Sequence, residues 1–289
     1  MKFAYYPGCS LHATAKEYDL SVVAVCAKLG VELVELEDWN CCGATAAYST
    51  SHLLSIALPA RNLASAEKMG MDIMAPCSAC FHKLSKANIS LKEKPELRDK
   101  INKIMESTGL KYRGTREVRH PADIIINEVG LDRIRENVER PLTGLKVAPY
   151  YGCLLVRPKR VARFDDPENP RSLDDLITAI GADPVKYYYK AKCCGGPIMM
   201  TREDVALELT RDILRSAKES GARCIITACP LCQMLLDVKQ RAIEEHFDVD
   251  INLPILYFTQ LLGLALGIEP KVLGIDKNMV SPAKLVETF

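Results

Sequence analysis

Apolar residues along this chain follow two periods that alternate from one segment to the next. KFAYYP (2–7) and KVAPYY (146–151) are short runs of β character that stop at a Gly-Cys pair. From Tyr18 to Leu29 apolar positions recur at helical spacing up to Gly30, which predicts a helix closed by glycine. VELVEL (31–36) alternates and DPVKYYY (183–189) is aromatic and β-branched, so both are predicted as strands. SHLLSIALPARNLASAEKMG (51–70) and REDVALELTRDILRSAKESG (202–221) read as helices, each ending in glycine, a usual C-cap. DIMAP (72–76) and CIITA (224–228) read as buried strands, and LPILYFTQLLGLALGI (253–268) as a buried strand that runs into a helix. The charged stretch 83–112 is amphipathic and helical apart from Pro95. Strands alternating with helices predict parallel sheets in an α/β protein.

The same order of elements occurs twice, and the cysteines make the duplication explicit. Cys9 is followed after 31 residues by Cys41-Cys42-Gly43, and Cys153 after 39 residues by Cys193-Cys194-Gly195. In both halves 34 residues then lead from the second cysteine to a C-x-x-C pair, Cys77/Cys80 and Cys229/Cys232. Flanking residues agree too: YYPGCSL (5–11) resembles YYGCLL (150–155), and MDIMAPCSAC (71–80) resembles RCIITACPLC (223–232). The expected architecture is two tandem Rossmann-like α/β repeats related by a pseudo-two-fold. The first, with a helical insertion, covers 1–143 and the second 144–289, joined through 132–145. Each cysteine group directly follows a predicted strand. That places all three groups of a repeat at the carboxyl edge of its sheet, where loops converge on ligands.

Composition narrows the class. The 289 residues are 48% hydrophobic and 26% charged, an ordinary globular balance. A net charge of +1 gives no general pull toward nucleic acid or an anionic membrane. MKFAYYPGCS lacks the apolar core of a signal peptide, and 253–268 is too short and is interrupted by Gln260, so a cytoplasmic protein is expected. Twelve cysteines are too few for a secreted disulfide scaffold. Clustered in a reducing compartment, they point to metal ligands or reactive thiols.

Adjacent cysteines in an extended strand point to opposite faces, so both can address one partner only if the chain turns sharply at Gly43 and at Gly195. A structural zinc ion takes four ligands, as does a cubic four-iron cluster, whereas each repeat offers five thiols. A multi-iron cluster with an irregular core suits five thiolates better than one zinc ion; a zinc-stabilised scaffold is the alternative.

Two copies of C-x(31–39)-C-C-G with a following C-x2-C, spanning residues 9–232, resemble the CCG-domain family, specifically the B subunit of heterodisulfide reductase. The resemblance implies a non-cubane [4Fe–4S] cluster in each copy, one held by Cys9, Cys41, Cys42, Cys77 and Cys80, the other by Cys153, Cys193, Cys194, Cys229 and Cys232. It implies reduction of the mixed disulfide of coenzyme M and coenzyme B. The duplication adds the expectation that this disulfide lies between the repeats and reaches both clusters. It also implies a flavin-bearing A subunit, a cubane-cluster C subunit and, through them, a hydrogenase or formate dehydrogenase coupled by flavin-based electron bifurcation. The alternative within the broad family is an electron-relay subunit of a 2-hydroxy-acid or succinate dehydrogenase. Intact ligand sets in both copies, and no ferredoxin-like cysteine run, favour disulfide chemistry.

The remaining candidates are single residues. His82 and His120 are candidate proton donors to product thiolates. Lys192, before the second CCG, and Lys83, after the first C-x-x-C, are candidate partners for substrate oxyanions. Cys26 and Cys224 fall outside the pattern and are expected in the core. The Tyr5-Tyr6 and Tyr150-Tyr151 pairs are expected there as well. His12, His52 and His246 are expected in solvent.

Overall fold

A computed structural model describes residues 1–44 and 47–288. The first half forms four short parallel strands, β1 (Lys2–Tyr5), β2 (Glu32–Glu35), β3 (Ile73–Met74) and β4 (Val118–Arg119), in the order β2-β1-β3-β4. The second half repeats this with β5 (Lys146–Tyr150), β6 (Asp183–Pro184), β7 (Cys224–Thr227) and β8 (Ile255–Tyr257), in the order β6-β5-β7-β8. The strand order reverses beside β1 and beside β5, so each sheet opens a crevice at its carboxyl edge.

The helices follow the apolar pattern. Lys16–Lys28 ends just before Gly30 at φ 73°, and Leu54–Met69 is closed by Gly70 in the left-handed conformation. Glu203–Glu219 ends before Gly221. The charged stretch becomes two helices, Ser78–Glu93 and Pro95–Met105; Pro95 opens the second, where its missing N–H costs nothing. The apolar run 253–268 contains β8 and the helix Phe258–Ala265. Gln260 is buried in it, accepting a hydrogen bond from Tyr257 N and donating to Leu273 O.

One strand is far shorter than its sequence. The predicted strand 183–189 is ladder-paired only at Asp183 and Pro184, the last rung being Val185 N to Val147 O at 2.8 Å. The next rung needs an N–H from residue 149, which is Pro149 and has none. The chain therefore leaves the sheet. Tyr187 turns inward and donates to Pro149 O, while Tyr188 is fully exposed.

The two halves share a core. One apolar cluster runs from Phe3 to Leu285 through both sheets, and a second fills the far side of the second half. At the join the helix Lys16–Lys28 packs on Phe258–Ala265. Tyr18 and Tyr257 stack at 4.0 Å, and Ser21 Oγ meets Thr259 Oγ1 at 2.7 Å. Among the described residues no helix is long and apolar enough to cross a membrane.

Candidate metal centre

Every patterned cysteine follows a strand at the carboxyl edge. Cys9 lies in the short helix Gly8–His12 after β1, and Cys41-Cys42 follow β2. Cys77 N-caps Ser78–Glu93 after β3, with Cys80 in the first turn. In the second half Cys153 follows β5, Cys193-Cys194 follow β6, and Cys229 N-caps Pro230–Gln233, which contains Cys232.

The glycine turns bring neighbouring sulfurs to one side. Gly43 has φ 71° and its N–H points at Cys41 Sγ (3.4 Å); Gly195 has φ 87° and does the same to Cys193 Sγ (3.4 Å). Tyrosines brace the loops from below. Tyr6 OH donates to Asn40 O (2.9 Å) and Tyr150 OH to Lys192 O (2.7 Å), each the carbonyl just before a Cys-Cys pair. Tyr6 and Tyr150 are thus equivalent, one residue out of step with the YY alignment. The helix after each CCG adds a clamp: Asn62 holds both N and O of Asn40, and Thr210 Oγ1 donates to Cys194 O at 2.9 Å. Sequence reasoning missed Asn62 and Thr210. Their signal was a polar residue on the buried face of a predicted helix.

The sulfurs form an almost unbroken series. Cys42 Sγ hydrogen bonds to Cys80 Sγ (3.2 Å), while Cys41 shifts the ionisation of Cys42 and Cys77 that of Cys80. In the other half Cys194 Sγ hydrogen bonds to Cys232 Sγ (3.5 Å), and shifts in ionisation link Cys229 to Cys232, Cys194 to Cys193 and Cys193 to Cys153. The halves approach each other at Cys77 and Cys229, two buried thiols that shift each other's ionisation in opposite directions. All are free thiols; a disulfide needs sulfurs near ~2.05 Å. Neighbouring sulfurs polarise the series. Cys41 and then Cys80 hold the Cys42 thiol down at about 3, and Cys153 and then Cys194 hold Cys193 down at about 2. Cys41 and Cys153 are pushed up in turn.

Exposure sorts the sulfurs into a floor and a mouth. Cys42, Cys77, Cys80, Cys194, Cys229 and Cys232 are buried, whereas Cys9 and Cys41 are exposed and Cys153 and Cys193 half-buried. Backbone also comes close. A Cβ on Gly8 would stand 3.3 Å from Cys80 Sγ, and one on Gly152 3.2 Å from Cys232 Sγ. Among the described residues no three His, Cys, Asp or Glu side chains surround a single-ion position. Two cradles of five soft thiols, each floored by buried sulfurs and open on one side, fit a multi-iron group rather than one compact ion.

The single-residue candidates divide. Lys83 is half-buried and its charge favours the thiolate of Cys42; its Nζ sits 5.5 Å from the Tyr48 ring. Lys192 is partly neutralised by Asp212 at 3.6 Å and lies 4.3 Å over the Tyr189 ring. His82 is driven down to about 4, mainly by desolvation and then by Lys86 and Lys83, so it is neutral at pH 7 and a poor acid. His120 does not fit a proton donor either. It is fully buried, its Nδ1 accepts from Ala122 N (3.1 Å), and its Nε2 lies between Pro76 O (2.7 Å) and Ala228 O (3.2 Å). Cys26 and Cys224 are core residues, burial pushing both thiols up to about 12. Tyr5, Tyr6, Tyr150 and Tyr151 are buried, and His12, His52 and His246 are exposed.

A duplicated parallel α/β fold with five thiols at the carboxyl edge of each sheet defines a class of cysteine-rich redox proteins. Residues 3–85 and 147–237 both match the family model described as a cysteine-rich domain, CCG. The chain belongs to this family of cysteine-rich CCG proteins, which includes the B subunit of heterodisulfide reductase. It is 36% identical, over 98% of its length and 99% of the relative, to the 8-methylmenaquinol:fumarate reductase membrane anchor subunit of Wolinella succinogenes. It is 34% identical to the B subunit of the ferredoxin/F420H2-dependent CoB-CoM heterodisulfide reductase of Methanosarcina acetivorans, covering 96% of this chain and 94% of that one. A protein of Archaeoglobus profundus described as like the B subunit of heterodisulfide reductase is 30% identical over 95% of this chain and 94% of its own. A hypothetical protein of Helicobacter pylori shares the fold, with a TM-score of 0.78 and 16% identity over 97% of this chain; this chain spans 52% of that one. The protein is accordingly an iron–sulfur oxidoreductase subunit of a family whose members work in multi-subunit complexes.

Proposed function

We propose that this chain is the catalytic subunit of a heterodisulfide-reductase-type complex, reducing a small mixed disulfide such as that of coenzymes M and B to two thiols. The repeats are taken as 1–143 and 144–289, each holding one cluster of the non-cubane [4Fe–4S] kind through its five cysteines. When bound, the clusters would each supply one of the two electrons that S–S cleavage requires. Two protons complete the balance, and the electrons arrive from partner subunits, one carrying cubane iron–sulfur clusters and one carrying flavin, fed by a hydrogenase or formate dehydrogenase. A disulfide-free, cysteine-rich chain suits the reducing cytoplasm.

The observation that supports this reading is that His120 Nε2 lies 2.7 Å from Pro76 O and 3.2 Å from Ala228 O, the carbonyls just before Cys77 and Cys229, which draws the two five-thiol sets together. Cys77 and Cys229 are buried, so a substrate would approach the more exposed thiols, Cys9 and Cys41 in the first set and Cys153 and Cys193 in the second. Lys83, whose charge favours the Cys42 thiolate, lines a crevice of about 50 Å³ with Tyr48, His52, Ser55 and Lys86, among others, and no carboxylate among the described residues lines it. Among the described residues Lys83 and Lys86 make no ion pair, whereas Lys192 has Asp212. Lys83 is therefore the better partner for a substrate sulfonate, phosphate or carboxylate. Losing one charge-assisted bond costs about 1.5–3 kcal/mol. Lys83→Gln is thus expected to raise KM roughly 10–100-fold with little change in kcat, read from steady-state kinetics with an artificial electron donor. A kcat loss at unchanged KM would remove Lys83 from substrate binding.

The relay alternative is supported by the 36% identity to the fumarate reductase anchor subunit. Anaerobically purified protein tests the shared premise first: it is expected to be brown, with roughly eight irons and matching acid-labile sulfide. One or two zinc ions without sulfide would end both readings. Disulfide-dependent turnover with an artificial donor then separates catalysis from relay.

A further inference from the structure

Ala228 O, the carbonyl immediately before Cys229, accepts hydrogen bonds from three side chains of the other repeat. Ser78 Oγ lies at 3.1 Å, His120 Nε2 at 3.2 Å and Tyr18 OH at 3.4 Å, all buried. His120 Nε2 also lies 2.7 Å from Pro76 O, the carbonyl immediately before Cys77. With Nδ1 accepting from Ala122 N, the ring proton resides on Nε2 and is shared between these two carbonyls.

The two carbonyls are counterparts. Ile73 pairs with Val118 in the first sheet and Ile225 with Ile255 in the second, so Pro76 matches Ala228, and His120 matches Tyr257. His120 and Tyr257 both N-cap the helix after the last strand of their sheets. Their tasks differ because only one ring fits between two symmetry-related carbonyls. His120 takes that place, while Tyr257 stacks on Tyr18, itself a donor to Ala228 O.

We propose that His120 is a positioning residue that sets the spacing of the two cysteine groups, holding the segments of Cys77 and Cys229 through one shared proton. Cys77 and Cys229 each sit one residue beyond the carbonyls it holds, and both are buried. Moving the ring therefore moves both groups, although it belongs to the first repeat. The inference rests on the reading that both groups bear metal.

His120→Asn tests it, because Asn preserves the helix cap but is too short to span both carbonyls. The spectroscopic signals of the two groups, assigned from Cys42→Ser and Cys194→Ser, are expected to shift together in His120→Asn. In metal-free protein, backbone amides of 224–233 are expected to exchange several-fold faster. A folded His120→Asn chain in which only the first-repeat signal changes, or neither does, would overturn the proposal. If that chain fails to fold, Ser78→Ala and Tyr18→Phe each remove one donor from Ala228 O without touching the cap. Each is expected to shift the second-repeat signal and leave the first; no shift in either variant overturns the proposal equally. Failure of the metal reading is distinct: it is seen in wild-type protein as absent iron and sulfide, before any variant is compared.

Discussion

Cys42→Ser and Cys194→Ser are each expected to lower the iron content from roughly eight to roughly four per chain, as two separate four-iron groups imply. Both residues lie on the buried floor, 2% and 3% exposed, each hydrogen bonded to the second cysteine of its C-x-x-C pair. Serine puts a shorter, harder oxygen where soft iron needs thiolate, and the cysteines outside the pattern, Cys26 and Cys224, are buried in the core. The untouched repeat keeps five ligands on its own strand ends, so its visible and paramagnetic spectra are expected to persist. Disulfide reduction is expected to fall by at least about 100-fold, near 2.7 kcal/mol in barrier, because one remaining group delivers one electron where two are needed. Elemental analysis, spectra and turnover with an artificial donor check each part. Loss of both spectra from either folded variant would show that the ten sulfurs make one indivisible site. Near wild-type turnover with one group would instead make electron relay the better account.

Gly195→Ala is expected to be the most damaging single methyl in the molecule's metal loops. At φ 87° an L side chain is strained by roughly 1–2 kcal/mol. The added Cβ would stand 2.7 Å from Ala206 Cα, which is helix backbone and does not rotate away. Overpacking of this kind adds about 1–3 kcal/mol. A total near 3 kcal/mol corresponds to a fall in Tm of about 6–12 °C for a chain of this size. Gly43→Ala meets side chains instead, Ala47 Cβ at 2.7 Å and Leu58 Cδ1 at 3.0 Å, and is expected to cost less. Calorimetry of metal-free chains compares the two directly. Equal Tm values for Gly195→Ala and wild type would mean that the turn relaxes and that glycine is not required there. The same substitution is expected to lower iron retention in the second repeat, since the Gly195 N–H that holds Cys193 Sγ moves with the turn.

Much of this protein was legible as sequence because a duplicated pattern is read twice. Ten cysteines in register identify the ligand candidates, and all but Cys193 and Cys194, whose preceding run leaves the sheet at Pro184, follow a run that becomes a strand. Alternation of strand and helix then dictates a parallel sheet, and parallel sheets gather their loops at the carboxyl edge. Glycine after each Cys-Cys pair foretells the positive φ that turns both sulfurs to one side. These features are local, set by side-chain period and backbone sterics within a few residues.

Tertiary structure alone decided what depends on residues far apart in the chain. DPVKYYY has strand composition, yet β6 ends at Pro184 because its neighbour in the sheet offers Pro149 and no donor. His120 resembled a proton donor while only its neighbours in sequence were considered. Packing of the two repeats buries it between Pro76 O and Ala228 O, 108 residues from the latter. Lys83 and Lys192 looked alike, and Asp212, on a helix 20 residues beyond the second lysine, separates them. The approach of Cys77 to Cys229 was invisible for the same reason. Spacing within a repeat places sulfurs relative to their own sheet, whereas the join between repeats is set by the packing of Tyr18, Ser21, Tyr257 and Thr259, whose partners no local periodicity specifies.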